Sequence, residues 1–411
     1  MAQTRRGSIR RLALAAAVSG IGDWAATIAL SLVIFRETHS TVWLSASFFF
    51  IQAPKGFLAP VAGAMADRFD RRRLLIASEL LAAATYGLMI VVRAPILLIA
   101  LGAVAALFSL PSGPAASAAV PNLIGGEELS WANGTIAAAF RVGTLVGPAI
   151  GGAVYASAGA GVVFAVNAVS FVASAALIAQ VRGDFRASRS DAAEPKSDVW
   201  AGLRFILRTP VLLALTVVGA VSFISAEIST VAELPLVHEF GVGGLGYGIM
   251  NTAWGAGGVL GALAAARVVR KQHEPAAAVY GILFFALFLG LVGLAPVFAL
   301  VPVLFFLFAF SDPFSYVGFG GIIQRGTPDE IRGRVFGAIS GVMSMSMAVA
   351  YAGAGFIVEA TGWRLVYVVG GVVGIACAVA LGIALRVIGP GSKEAGEVHI
   401  DTSEPSSVAD N

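Results

Sequence analysis

The sequence predicts an all-α integral membrane protein with twelve transmembrane helices in two six-helix, pseudo-symmetric halves. Three observations lead to this prediction. The chain has 411 residues, is 58% hydrophobic and only 12% charged, and has a mean hydropathy of +0.86, so a soluble domain could not bury its apolar surface. The apolar residues form runs of about 20, separated by short polar or Pro/Gly stretches. Two parts of the sequence also resemble each other at a spacing of about 200 residues.

The spans follow one another with short connections. The first apolar run extends to about residue 35, which is too long for the apolar core of a cleaved signal peptide, so we interpret it as an uncleaved span. Spans are predicted near 12–35, 41–64, 74–92, 95–119, 131–156, 160–181, 210–236, 243–266, 276–294, 296–322, 335–358 and 364–388. We therefore expect an N-terminal half at 1–182 and a C-terminal half at 210–388.

Two segments fall outside the spans. The connection 183–209 begins with a polar stretch that we expect to be flexible, and it continues into a short helix. In that helix Trp200, Leu203 and Leu207 share one face, a pattern that favours a helix on the membrane surface over a partner-binding motif. The tail 389–411 is rich in Ser, Glu and Pro, a composition typical of disorder.

The basic residues predict the orientation in the membrane. If the N-terminus is cytoplasmic, 22 of the 27 Lys and Arg residues fall on the cytoplasmic side and only Arg36, Arg93 and Arg364 fall outside. This bias predicts that both termini are in the cytoplasm, with the chain in the cell membrane. The same bias explains the basic pI, so we expect no nucleic-acid partner. With one cysteine and four scattered histidines, the sequence predicts neither a disulfide framework nor a metal site, and we expect no cofactor and a monomer.

The internal repeat consists of short matches with a shared spacing. The sequence FSLPS at 108–112 matches FSDPF at 310–314, and GAVYASAGAGVVF at 152–164 matches GFIVEATGWRLVY at 355–367. GDWA at 22–25 corresponds to AEIS at 226–229. Each half has an even number of spans, so the two halves have the same orientation. In folds of this kind the substrate site lies near the membrane midplane, between the halves.

The stretch GAMADRFDRRR at 63–73 places six charged residues within seven positions, between spans two and three. It resembles the signature loop of the major facilitator superfamily, G-x-x-x-D-R-x-G-R-R, with Asp70 in place of the second glycine. The matching residues are Gly63, Asp67, Arg68, Arg71 and Arg72. The resemblance implies a latch that joins the halves in the outward-open state, to which Arg332 and Arg334 between spans ten and eleven could also belong. The alternative is that these charges only set the topology.

Within that superfamily the chain resembles the enterobactin-exporter and macrolide-efflux group. The resemblance spans residues 12–388 and rests on GDW at 22–24, ADRFDRRRLL at 66–75, GPAIGG at 147–152 and QRGTPDEIRGRVFG at 324–337. The stretch 141–152 is similar to the glycine-proline motif of drug-proton antiporters, through Gly143, Gly147, Pro148, Gly151 and Gly152. The spacing of these glycines alone is explained equally well by close helix packing.

Charged residues inside spans are costly and usually functional. Asp23 and Lys55 each lie about 18 Å into the bilayer by the helical rise, so adjacent spans could bring them together. Asp312, before Pro313, is also near mid-depth, and Glu227 and Arg141 complete the candidates for proton coupling or charge balance. The alternative is a set of structural ion pairs, above all for Lys55 and Arg141. Glu233 is expected at the membrane interface.

Together these features predict a secondary transporter that exports a drug-like, siderophore-like or other secondary-metabolite small molecule in exchange for protons, by alternating access. Candidate cavity residues are Trp24, Gln52, Asn251, Trp254 and Phe314, with Phe48, Phe49 and Phe50 as further aromatic contacts. The alternatives are a proton symporter that imports a metabolite, a channel, and a polytopic membrane enzyme. No Gly-Lys-Ser/Thr motif for ATP and no concentrated set of catalytic groups is present in the sequence, so we expect no enzyme activity.

Overall fold

The computed structural model describes residues 2–124, 128–181, 183, 185 and 200–388. All regular structure in these ranges is helical. The predicted flexible part of the connection and the predicted disordered tail lie outside the described residues.

Sixteen α-helices are present in the described ranges. The first eight are α1 (Ala2–Thr38), α2 (Thr41–Phe57), α3 (Ala59–Arg68), α4 (Arg71–Met89), α5 (Pro95–Ser109), α6 (Ser112–Leu123), α7 (Leu129–Ala158) and α8 (Ala160–Ala179). The others are α9 (Ala201–Arg208), α10 (Pro210–Val231), α11 (Glu233–Glu239), α12 (Gly243–Val268), α13 (Glu274–Val292), α14 (Leu300–Arg325), α15 (Arg332–Thr361) and α16 (Trp363–Ile388).

Three predicted spans are each divided into two helices. Span two breaks at Leu58, span four at Leu110 and Pro111, and span seven at Ala232. Prolines lie close to each break, because proline lacks the N–H that continues a helix and its ring crowds the preceding turn. The divided spans matter for the site, since the third break comes directly before Glu233.

Ten helical segments are long and apolar enough to cross a membrane. The two remaining predicted spans are span two, which is formed by α2 and α3, and span three, which is formed by α4. The first contains a helix of only 17 residues before its break, and the second begins with three consecutive arginines. The total of twelve spans therefore stays a prediction, whereas the all-helical membrane fold is confirmed.

The helices pack in two groups. Helix α1 packs against α7 and α8, and α4 packs against α5 and α8. In the second group, α13 packs against α14 and α16, and α10 packs against α15 and α16. The groups meet mainly along two crossings, α7 with α12 and α2 with α15. The short helix α9 lies against α15, with Gly202 and Ile206 buried while Trp200 is 67% exposed.

The two ends of the bundle differ in charge. We call one end the basic end, where α1 begins and α14 finishes; it carries Arg71, Arg72, Arg267, Arg325 and Arg332. At the opposite end, α7 turns into α8 at Gly159 and α15 turns into α16 at Gly362. Both glycines have positive φ, 79° and 77°, which a residue with a side chain rarely adopts. The equivalent turns fall at the spacing of the sequence repeat.

Candidate functional site

A cavity of about 550 Å³ lies between the two groups of helices. Its walls come from α1, α2, α4, α5 and α7 on one side and from α10 to α16 on the other. Nine of the residues singled out in the sequence line it: Asp23, Trp24, Phe48, Gln52, Lys55, Glu227, Asn251, Trp254 and Asp312. The tertiary structure therefore brings together side chains that are up to 289 residues apart in the sequence.

Asp23 lies next to a close contact between α1 and α8. A Cβ atom on the neighbouring Gly22 would come within 2.2 Å of Asn167 Oδ1, so a larger residue there would displace the Asn167 side chain. Asn167 Nδ2 and the Tyr86 hydroxyl both donate to Asp23 Oδ1, at 3.5 and 3.4 Å. Lys55, on α2, interacts with the carboxylate electrostatically without a direct ion pair. Asp23 and Lys55 thus line the same cavity, and Asp23 has neutral donors as additional partners.

Asp312 has its counter-charge across the interface between the groups. Arg141 on α7 interacts with it electrostatically, although Arg141 is exposed and does not line the cavity. The nearby Tyr316 does line the cavity and is 65% exposed. Asp312 precedes Pro313 within α14, and the Ser315 hydroxyl donates to the Asp312 carbonyl at 2.6 Å.

Glu233 is not at the membrane interface as the sequence suggested. It is the first residue of α11, only 8% exposed, and it lines the cavity because the chain breaks and turns inward after α10. Asn251 Nδ2 donates to Glu233 Oε2 at 3.2 Å. Glu227, one and a half turns earlier on α10, accepts a hydrogen bond from the Tyr351 hydroxyl. Phe48 stacks on the Tyr351 ring with centroids 5.3 Å apart.

Three aromatic candidates do not line the cavity. Phe314 contacts Phe310 on its own helix, with ring centroids 5.8 Å apart. Phe49 and Phe50 contact each other edge to face, and Phe50 is largely exposed. Periodicity could not separate Phe49 and Phe50 from Phe48, because these three residues are consecutive in one apolar run.

The tyrosines are the site residues that the sequence analysis missed. Five of the seven tyrosines in the chain line the cavity: Tyr86, Tyr247, Tyr316, Tyr351 and Tyr367. A signal was available, since a tyrosine within an apolar span usually needs a partner for its hydroxyl. Phenylalanine is far more abundant here, with 26 residues, and that contrast marks the tyrosines as selected for their polar group.

The cavity is closed at the opposite end. One apolar cluster there includes residues of both groups, with Ile28, Leu32 and Leu44 packed among residues of α11 to α16. The Thr41 hydroxyl donates to the Gly355 carbonyl at 2.7 Å, and the Ser45 hydroxyl donates to the Tyr351 carbonyl. These bonds join α2 to α15, so the two groups of helices are held together at that end.

The basic end is not joined in this way. Its two apolar clusters each belong to one group of helices: one around Ile9, Leu75 and Ala119, the other around Leu215, Ile282 and Val335. The exposure of Tyr316 in the cavity wall agrees with an opening toward this end.

The hydrogen bonds of the charged loop at 63–73 to other described residues stay within its own group. Arg71 is 8% exposed and donates to the Ala66 and Ala118 carbonyls at 3.3 and 2.9 Å, while Arg72 donates to the Ala179 carbonyl. Asp70 accepts from Arg73 N at 2.9 Å and so caps α4. Gly63 is half-buried, with free space around its Cα, and Asp67 and Arg68 are exposed at the end of α3.

The second part of the predicted latch also stays within its group. Arg332 pairs with Asp329 and donates to the Thr327 carbonyl at 3.3 Å. Arg334 is half-buried and its backbone lies against Gly202 of α9. In the described residues, these arginines therefore form no bridge between the groups in this conformation.

The glycine-proline motif packs on two neighbours. A Cβ at Gly143, Gly147 or Gly151 would come within 2.8 Å of α1, so this face of α7 holds α1 closely. A Cβ at Gly152 would lie 2.3 Å from the Gly244 carbonyl oxygen of α12, and one at Gly248 would lie 2.6 Å from the Pro148 carbonyl oxygen. The motif thus forms part of the crossing between the two groups.

Comparison with known proteins gives consistent matches. Residues 1–405 match the family described as transmembrane secretion effector. The chain is 27% identical to the multidrug efflux pump Tap of Mycolicibacterium fortuitum, over 82% of this chain and 86% of that protein. It is 26% identical to the uncharacterized MFS-type transporter YfiS of Bacillus subtilis (86% and 87% covered). It is 24% identical to the enterobactin exporter EntS of Shigella boydii (75% of each covered).

Solved structures share the fold. The nucleoside transporter NupG superposes with a TM-score of 0.74 at 12% identity, covering 92% of this chain and 99% of that one. A bacterial homologue of the iron transporter ferroportin, in an inward-facing state, superposes with a TM-score of 0.72 at 17% identity, covering 92% and 98%.

Proposed function

We propose that this chain, which belongs to the transmembrane secretion effector family of the major facilitator superfamily, is a proton-coupled exporter of a small organic molecule. Because the chain belongs to this family, it is a multi-pass membrane transporter with efflux pumps among its relatives, and it is not an enzyme. The proton coupling, the direction of transport and the substrate class are the parts that we propose. The substrates named for Tap and EntS suggest a drug-like or siderophore-like molecule.

The observation that carries the proposal is a cavity with intramembrane acids, closed at one end only. We infer alternating access between two halves, 1–182 and 210–388, that rock about the α7–α12 and α2–α15 crossings. With the basic end in the cytoplasm, as the positive charges favour, the structure corresponds to the inward-open state. The latch would then form only when this end closes, which agrees with its lack of contacts between the groups.

Asp23 and Asp312 are the proposed coupling residues. Each lies in the cavity wall and has one cation nearby. In general, burial disfavours a charged carboxylate and a nearby cation favours it. Asp23 has Lys55, and Asp312 has Arg141 on the other group of helices. A change in solvent access or in the distance between the groups would shift this balance, so a proton could bind in one state and leave in the other.

The test is transport in proteoliposomes under an imposed pH gradient. Ethidium, chloramphenicol and enterobactin serve as a cationic, a neutral and an anionic candidate. An exchanger accumulates its substrate when the vesicle interior is acidic, because protons leave as substrate enters. Accumulation only with an acidic exterior would instead support symport, and accumulation of none of the three under either gradient would contradict the proposal.

A further inference from the structure

The acids of the cavity fall into two kinds. Lys55 is the only basic residue among the described residues that line the cavity, and its electrostatic partner is Asp23. Asp312 interacts with Arg141. Glu227 and Glu233, in contrast, have only neutral hydrogen-bond partners among the described residues. These two glutamates therefore lack the counter-charge that the two aspartates have.

The neutral partners of the two glutamates are well defined. Glu227 accepts from the Tyr351 hydroxyl, and Glu233 accepts from the Asn251 amide at 3.2 Å and interacts with the Tyr247 hydroxyl. The two carboxyl groups also interact with each other. Two like charges in a buried site without a cation are unfavourable, because burial removes their hydration and nothing of opposite charge replaces it. The site is balanced only when a proton or a bound cation is present.

A second, independent observation indicates a ligand. Tyr367 is 1% exposed, lines the same cavity and interacts with Glu233, and its buried hydroxyl has no hydrogen-bond partner among the described residues. Gln52 Oε1, on the facing wall, is also buried without a partner. Buried polar atoms normally have partners. A ligand that supplies hydrogen-bond donors or positive charge would satisfy the unpaired carbonyl oxygen of Gln52 and the carboxyl oxygens of Glu227 and Glu233.

The remaining walls suit an aromatic cation. Trp24 and Trp254 face each other across the two groups with centroids 6.0 Å apart, and Phe48 covers Tyr351. Aromatic faces attract cations, and the attraction is stronger where water is excluded. An anionic molecule would instead meet four carboxyl groups and a single ammonium.

We propose that Glu227 and Glu233, with Tyr351, Asn251 and Tyr367, form a subsite for a positively charged nitrogen on an aromatic substrate. The inference rests on the proposed export function and narrows its substrate to organic amines and quaternary ammonium compounds. Asp23 and Asp312 remain the coupling residues. In the subsite, the bound cation supplies the positive charge that the two glutamates lack.

Binding to the purified full-length protein tests the subsite without transport. Ethidium carries a permanent charge, and phenanthridine is its uncharged parent ring system at pH 7.5. We expect ethidium to bind at least tenfold more tightly than phenanthridine. Glu233→Gln and Glu227→Gln should each weaken ethidium binding at least tenfold and leave phenanthridine binding unchanged. Retained phenanthridine binding also shows that each variant is folded.

The control is Glu359→Gln, which removes an exposed acid near the end of α15 and should leave both affinities unchanged. Equal affinity of the wild type for the two probes, or no ethidium binding, overturns the subsite. So does unchanged ethidium binding in both cavity variants. If the subsite fails the binding test while pH-driven export of chloramphenicol or enterobactin persists, the proposed function survives. If ethidium binds but no pH-driven transport is measured, the proposed function is contradicted and the subsite is supported.

Discussion

At the scale of single residues, Asp70 shows how a departure from a family pattern is accommodated. The signature loop usually has glycine at this position, where the chain turns from α3 into α4. Here the Asp70 side chain accepts from Arg73 N and satisfies one of the free N–H groups at the start of α4. The turn therefore gains a helix cap in place of the conformational freedom of glycine.

We expect Asp70→Ala to destabilise the protein by about 1 kcal/mol, since an N-cap acceptor is lost. Asp70→Asn keeps an acceptor oxygen and should be close to the wild type. Thermal unfolding of the purified protein measures both. Asp67→Ala is the matched control, because Asp67 is exposed and caps no helix. Equal losses for Asp70→Ala and Asp70→Asn would contradict the capping role.

Asp23 is the residue on which the coupling proposal can be tested most directly. We expect Asp23→Asn to abolish pH-driven transport while substrate binding persists, because the amide keeps the shape and the contacts with Asn167 and Tyr86 but cannot exchange a proton. Transport in vesicles with and without the gradient, together with a binding measurement, separates the two effects. Full pH-driven transport by the variant would rule out Asp23 as a coupling residue.

A variant that also changes Lys55 distinguishes a coupling role of Asp23 from a structural pair of Asp23 with Lys55. If Asp23 only balances Lys55, the double variant Asp23→Asn with Lys55→Met should restore folding and coupling together. If Asp23 carries the proton, the double variant should fold and bind but remain uncoupled.

At the scale of helices, the crossing of α7 and α12 depends on the absence of side chains. Gly152 and Gly248 face each other's backbones, and neither has room for a Cβ atom. Small residues at such crossings allow helices to approach closely in lipid, where dispersion replaces the hydrophobic effect as the driving force. This contact closes the opposite end of the cavity.

We expect Gly248→Leu to separate α7 from α12 and to shift the protein away from the conformation that is closed at the opposite end, with loss of transport. Gly258→Leu is the matched control, since it lies on the same helix and a Cβ there meets no atom within 4 Å. Protease accessibility and transport report the shift. Wild-type transport by Gly248→Leu would show that transport does not require the close approach of α7 and α12.

At the scale of the whole molecule, we propose that the latch forms in a conformation other than the one described. In the outward-open state the basic end must close, and the exposed Asp67 is then available to a cation of the other group. We expect Asp67→Asn to weaken that state by about 1–3 kcal/mol, the range for hydrogen bonds to charged groups.

Distances between spin labels at Gln180 and Gln272, both exposed at the basic end, measure the populations in a Cys377→Ala background. The variant should show fewer short distances than the parent. Unchanged populations would leave the loop as a determinant of topology only.

The distribution of Lys and Arg predicts the orientation of the whole molecule, with both termini in the cytoplasm. Cysteines introduced at positions 190 and 400, both outside the described residues, should react only with reagents that cross the membrane. A cysteine at Glu37, exposed at the opposite end, is the positive control for labelling from outside. Labelling of position 190 or 400 in intact cells by an impermeant reagent would reverse the assignment.

The sequence by itself determined the properties that depend on local composition. Runs of apolar residues predict membrane helices, because the bilayer demands them wherever the chain crosses. The family was accessible from the residues at 63–73 and 141–152, and the candidate charges at Asp23, Lys55 and Asp312 from their depth alone. Each of these properties can be seen in a single stretch of sequence.

Only the tertiary structure decided which side chains share the cavity. Glu233 lies in it because the chain breaks at Ala232 and turns inward, and Phe314 does not because its ring packs along α14. The pairing of Glu227 with Tyr351 joins residues 124 positions apart. An apolar span has no solvent-facing polar stripe to mark its inner face, so hydropathy cannot reveal which side of a helix meets the cavity. Which side of a helix lines the cavity depends on packing between helices that are distant in sequence. The same packing gives each of the two aspartates a counter-charge and leaves the two glutamates with neutral hydrogen-bond partners.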